Sequence, residues 1–195
     1  IRPGFRLPTR NGLLSGWPWS SGLRRAILGL MVGRQGRLSP SARNRPAIEM
    51  ITGLDHVLIV CPSIDDGEAT YSALLGREPD WRSSDPAGSA VIIFQLENTA
   101  LEIMSPTGSG PLARRLHAMI DQDGPGLKSL IFATDDINAA RGMMDRRALK
   151  PEEIVAGESV DQLGGKARYW SRVRLDDAAT HGVRNFDLQR RQPYP

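Results

Sequence analysis

The sequence predicts an α+β domain made of two copies of one unit, each a strand, a helix and two or three further strands, packed around a shared cleft. Three observations carry this. The start of the unit occurs twice: GLDHVLIVCPSIDDGEA at residues 53–69 matches GLKSLIFATDDINAARG at 126–142 without a gap, 73 residues apart. In both copies a β-branched, apolar run gives way, after a turn, to a helix-like stretch. The chain also changes character near residue 50, so the repeat fills a region of its own. Residues 1–50 hold nine Arg, no Lys and one acid, Glu49, whereas 51–195 hold 16 basic and 21 acidic residues.

That split governs what the charge means. The net +3 of the 195-residue chain averages a +8 segment and a −5 domain. A phosphate-gripping surface on the repeated part is therefore disfavoured, and no nucleic-acid partner is expected. No run approaches 18 consecutive apolar residues, so no membrane partner is expected either. The single Cys61 excludes an intramolecular disulfide and a thiolate-cluster zinc site. With no secretion signal read, the protein is expected in the cytoplasm.

Residues 1–50 read as an irregular, Arg-rich extension that is expected to be disordered, broken by Gly and Pro every few positions. Arg24-Arg25 before Ala26–Val32 gives a faint targeting signal, weighed against an anion-binding tail and a silent extension. The chain opens on Ile1, and Met50 stands just before the first strand, so translation is expected to start there or the sequence to be a fragment.

The domain proper is expected over 51–192, with module one at 51–107, a linking helix at 111–120 and module two at 124–190. Asp55–Cys61 (DHVLIVC) is rich in Val and Ile and reads as a strand. Pro62-Ser63 ends it, and Ile64–Leu75 reads as a helix with Asp65 and Asp66 in its first turn, weakened by Gly67. Ala90–Leu96 and Ala100–Met104 are strands joined by a turn at Glu97-Asn98-Thr99. Pro111–Ile120 is the linking helix. After the second copy of the opening come a short strand at Glu153–Ala156, then Ala167–Leu175 and Arg184–Leu188. Sheets of three or four strands are marginal alone, so the halves should pack together and enclose the cleft between curved faces.

Polar residues inside apolar strands are the functional candidates, because an unpaired polar group in an apolar groove is costly. His56 lies within the first strand, either as a structural histidine or as a contact to a ligand. Glu102 is flanked by Leu101 and Ile103. Ser129 is the counterpart of His56 in the repeat, and Asp187, between Phe186 and Leu188, stands on the counterpart of the Glu102 strand. His181 sits in a turn before the last strand, where it could reach the cleft mouth or face water. Tyr169 and Trp170 point to opposite faces, so one can line the cleft, and Trp81 reads as a loop residue after the first helix. His117 reads as a surface or interface residue, and Cys61 as a small buried apolar group. No GxGxxG, GxxxxGK[ST] or HExxH pattern is present.

With LDHV in the first strand, LEIM in the fourth, the second opening GLKSLIFATDDINAA and the terminal THGVRNFDLQR, residues 51–190 resemble the vicinal oxygen chelate superfamily, its glyoxalase-like subgroup in particular. The resemblance implies two βαβββ modules forming a cupped mixed sheet around a divalent metal such as Zn, Fe, Ni, Mn or Co, or a cleft that has lost it. Carried across, it makes His56, Glu102 and Asp187 the metal ligands, with Glu102 also the proton-transfer base. Ser129, Trp170 and His181 are the candidate substrate contacts. Ser129 stands where a ligand is usual, and a serine hydroxyl is a poor ligand for metals that suit imidazole. The implied function is an enzyme acting on a small oxygenated molecule by metal-assisted lyase, epimerase or dioxygenase chemistry. The alternative is a non-catalytic small-molecule binding or resistance protein with a degenerate site. A homodimer, formed through open sheet edges or exchanged modules, is the expected assembly.

Overall fold

The computed structural model describes residues 50–191. The expected extension of residues 1–50 lies outside them, apart from Met50. Module one comprises β1 (Gly53–Val60), α1 (Ile64–Leu75), β2 (Trp81–Asp85), β3 (Ser89–Gln95) and β4 (Ala100–Pro106). The linking helix α2 (Pro111–Asp123) follows, then β5 (Gly126–Ala133), α3 (Ile137–Arg146), β6 (Val155–Val160), β7 (Ala167–Arg174) and β8 (Asn185–Arg190). Each half is thus one βαβββ module.

The eight strands form one mixed sheet in the order β2-β3-β4-β1-β5-β8-β7-β6. The central pair β1·β5 is antiparallel, while β1·β4 and β5·β8 are parallel, so the two halves mirror each other's pairing. The sheet curls until its ends approach. Trp81 Nε1 donates to Ser159 Oγ at 3.2 Å, and Gln162 N donates to Arg82 O at 2.8 Å. The edges that would pair in a homodimer are therefore partly turned toward each other.

Local chemistry sets the element ends. Ser63 caps α1 by accepting from Asp66 N at 3.3 Å, and Gly76, in the left-handed region at φ 67°, donates its N–H to Ser72 O. Gly67, which looked like a flaw in α1, is where the helix lies closest to the sheet: a Cβ there would stand 2.9 Å from Cys61 Sγ. Asp136 caps α3 by accepting from Asn138 N and Ala139 N.

Two elements differ from expectation. Trp81 is not in a loop but opens β2, whose WRSSD sequence has no apolar run because its strand partner β3 supplies most of the buried surface. β6 spans Val155–Val160 rather than Glu153–Ala156, its register fixed by pairing with β7.

The helices cover the convex face. Ile92, Phe94 and Ile103 meet Ile59, Ile64, Tyr71 and Leu75 beneath α1, and Val173 and Leu175 meet Ile137, Ala140 and Met144 beneath α3, with Met50 packed alongside. Fully burying each such side chain contributes about 1.5–3 kcal/mol. The concave face carries its own cluster of Trp81, Val91, Ile93 and Ala100, with Met104 beside it. Polar residues interrupt this second face, which makes it the place to look for chemistry. Among the described residues, no helix is long and apolar enough to cross a membrane.

Candidate functional site

Strand pairing decides which face each candidate occupies, because paired residues point the same way and a one-residue slip reverses a side chain. Leu58 pairs with Glu102 on one side and Ser129 on the other, and His56 pairs with Ile131. Glu102 also pairs with Ile93, which pairs with Trp81. His56, Glu102, Ser129 and Trp81 therefore share the concave face. His56 Nε2 stands 3.6 Å from Glu102 Oε2, just outside hydrogen-bond range, with His56 buried and Glu102 largely so, its side chain 12% exposed. Ser129 is 2% exposed and its Oγ has no hydrogen-bond partner.

Asp187 is not with them. In module one the parallel pair β1·β4 matches Leu58 with Glu102, and in module two the corresponding β5·β8 pair matches Ile131 with Phe186. Phe186 is thus the counterpart of Glu102, and Asp187 that of Ile103, which lies in the core under α1. Asp187 pairs with Val173, a member of the α3 cluster, and is 2% exposed. Burial pushes its carboxyl up to about 7 from an ordinary 3.8. The structure thus sets Asp187 one residue of register away from the expected ligand position.

A wider set of charges surrounds the pair. Asp55 Oδ1 lies 2.6 Å from His56 Nδ1. Arg190, on β8, grips the same carboxylate with two donors, Nε to Oδ2 at 2.6 Å and Nη2 to Oδ1. Burial pushes the Asp55 carboxyl up, but the hydrogen bonds from His56 and Arg190 outweigh it and hold it below the usual carboxylate range. On the other side, Arg168 Nη2 stands 3.6 Å from Glu102 Oε2. The Arg168 guanidinium lies over both Trp81 and Trp170, 5.0 and 5.2 Å from the ring centroids. Trp170 in turn packs on Gly157, where any Cβ would collide with its ring. Arg172 reaches over Phe186 at 5.4 Å.

His181 is exposed in the turn before β8, at φ 55°, and Tyr169 points outward. Cys61 donates Sγ–H to Ser63 O at 3.1 Å, and burial pushes its thiol up, which suits a packed group rather than a nucleophile.

A resident divalent metal, which the resemblance implies, can be tested on these donors. The first module offers an imidazole and a carboxylate at the ligand positions, whereas the second offers the Ser129 hydroxyl and the Phe186 ring. Asp55 is engaged by Arg190 and by the far nitrogen of the His56 ring, and the Arg168 guanidinium already stands beside Glu102. Among the described residues, no three His, Cys, Asp or Glu side chains form a metal-holding group. Two strong donors beside a fixed cation fall short of the three protein ligands such centres use, so the residues present do not fit the metal.

Asp55, Arg168, Arg190 and Phe186 were missed as site residues. The alternation of Arg168, Trp170, Arg172 and Arg174 along β7 was a readable sign of a basic inner face.

A family model described as a glyoxalase-like domain matches residues 54–195. The ethylmalonyl-CoA/methylmalonyl-CoA epimerase of Cereibacter sphaeroides is 34% identical over 94 residues, 47% of this chain and 68% of that protein. Among solved structures, the methylmalonyl-CoA epimerase of Mycobacterium tuberculosis is 20% identical with a TM-score of 0.58, covering 79% of this chain and 96% of that one. A Streptomyces coelicolor methylmalonyl-CoA epimerase variant in complex with 2-nitronate-propionyl-CoA is 17% identical with a TM-score of 0.56, covering 73% and 99%. At such identities the solved structures speak to the fold.

Proposed function

The chain belongs to the glyoxalase-like domain family of the vicinal oxygen chelate superfamily, and on that premise we propose that it is an isomerase of the epimerase kind. It would move a proton at the carbon beside the carbonyl of a small carboxylated acyl compound. A 2-alkylmalonyl thioester is the first candidate, by similarity to the Cereibacter sphaeroides epimerase.

The observation that carries this reading is the facing pair His56 Nε2 and Glu102 Oε2, 3.6 Å apart on the concave face, with Arg168 beside the carboxylate. Such a pair can share one exchangeable proton. One member removes the substrate's α-proton, and the C–H electrons move to the carbonyl oxygen as an enolate. The two atoms stand too close together to flank one carbon, so both work from the same side. The planar enolate turns its other face toward the pair, the other member returns a proton there and inverts the carbon, and the reverse reaction exchanges the roles. The Ser129 hydroxyl, buried without a hydrogen-bond partner, would donate to the developing oxyanion, and the Arg168 guanidinium would supply positive charge. No step requires a redox agent or a metal.

Incubating one enantiomer of a 2-methylmalonyl thioester with the full chain in D2O tests this. Inversion with deuterium incorporation at the α-carbon is expected; neither event with any of a panel of 2-substituted acyl thioesters and acids would sink it. The rival reading, a protein that binds such molecules without turnover, is favoured by Ser129 and Phe186 at positions where a working metal site would carry ligands. Saturable binding without exchange would select it.

A further inference from the structure

β1 does not run evenly past β5. Leu54 pairs with Phe132 and His56 with Ile131, so Asp55 is an extra residue, a β-bulge in the first strand. In a regular strand, neighbours point to opposite faces. Here the bulge re-aims Asp55, and its carboxylate ends beside the imidazole of the very next residue, on the concave face. We infer that Asp55, clasped by Arg190 across the two modules, is a positioning residue that fixes the proton of His56 on Nδ1 and leaves Nε2 as the only nitrogen to exchange protons at the groove.

Arg190 has no acceptor and stays charged, and its fork supplies two hydrogen bonds to the Asp55 carboxylate, which keeps that carboxylate ionised. An ionised carboxylate only accepts. The 2.6 Å contact between Asp55 Oδ1 and His56 Nδ1 therefore requires a hydrogen on Nδ1, in the neutral and in the charged imidazole alike. Nε2 then carries the lone pair in the neutral ring, and it is Nε2 that faces Glu102 at 3.6 Å. The clasp also joins the halves: Asp55 comes from β1 of the first module and Arg190 from β8 of the second. Docking of the two modules thus completes the clasp that holds the Asp55 carboxylate beside His56.

The inference rests on the proposed proton transfer only for its catalytic weight; the tautomer itself can be read without substrate. Long-range 1H–15N correlation on the full chain, labelled with 15N-histidine, distinguishes the ring nitrogens above the pH at which the ring loses its charge. Loss of the signal in His56→Gln assigns it among the three histidines. The wild type is expected in the Nδ1–H form, and Asp55→Ala and Arg190→Gln should shift it toward Nε2–H. A wild-type His56 in the Nε2–H form overturns the inference without any variant having to fold. In the exchange assay, Asp55→Ala should lower kcat by about a hundredfold or more with KM within about threefold. Arg190→Lys, which keeps the charge but not the fork, should fall between. An Nδ1–H tautomer in a protein that exchanges no substrate proton would leave the positioning intact and refute the proposed function. A correct tautomer with unchanged kcat in Asp55→Ala would refute the positioning role.

Discussion

Replacing Asp187 by Asn should make the protein more stable, by an amount that grows from about pH 4 and is complete above about pH 7. The carboxyl lies under α3 beside Val173, 2% exposed, with Oδ2 lacking a hydrogen-bond partner. Burial raises it to about 7 from an ordinary 3.8. Between those values the folded state holds a proton that the unfolded chain has released, so stability is highest below about pH 4 as far as this group is concerned. It falls as pH rises and levels off above 7. At about 1.4 kcal/mol per pH unit, the gap corresponds to at most about 4 kcal/mol, and relaxation around the charge brings the expected cost to about 2–4 kcal/mol. Asn keeps the shape and never ionises. Urea unfolding, followed by tryptophan fluorescence from about pH 4.5 to about 8.5, should show the variant close to wild type at the acid end and about 2–4 kcal/mol more stable at the basic end. Parallel pH profiles, or a variant less stable at the basic end, would refute the assignment of Asp187 to the helix-covered face.

The remaining predictions concern the groove. Glu102→Gln should slow α-proton exchange at least about a hundredfold while thioester binding, measured by calorimetry, changes little. Arg168→Met should raise KM about tenfold or more and quench less of the Trp81 and Trp170 fluorescence, since it removes a charge stacked on both rings. Ser129→His combined with Phe186→Glu should create divalent-metal binding, detectable by calorimetry with Zn2+ or Ni2+, where the wild type shows none; failure of the double variant to bind would undo the register assignment of Phe186 as the counterpart of Glu102.

The repeat made the fold readable. A gapless match of 17 residues placed β1, α1, β5 and the start of α3, and the concave positions of His56, Glu102 and Ser129 follow from it together with strand alternation. What could not be read depends on pairing between distant strands. Asp187 looked like the partner of Glu102 because both are acids between apolar neighbours, yet the β5·β8 register gives that position to Phe186. Strand alternation alone would put Asp55 on the face opposite His56, because it assumes an even ladder, and the bulge that breaks it is visible only against β5. Arg168 and Arg190 gain their meaning from partners 66 and 135 residues away, Glu102 and Asp55, which no local pattern reports.

The central claim, proton transfer by Glu102 and His56 without a metal, is tested most directly by deuterium uptake into a 2-methylmalonyl thioester in the presence of excess chelator. Uptake that persists unchanged under EDTA and is lost in Glu102→Gln is the predicted result. Uptake that collapses on chelation and returns with added Zn2+, Co2+ or Ni2+ would contradict it.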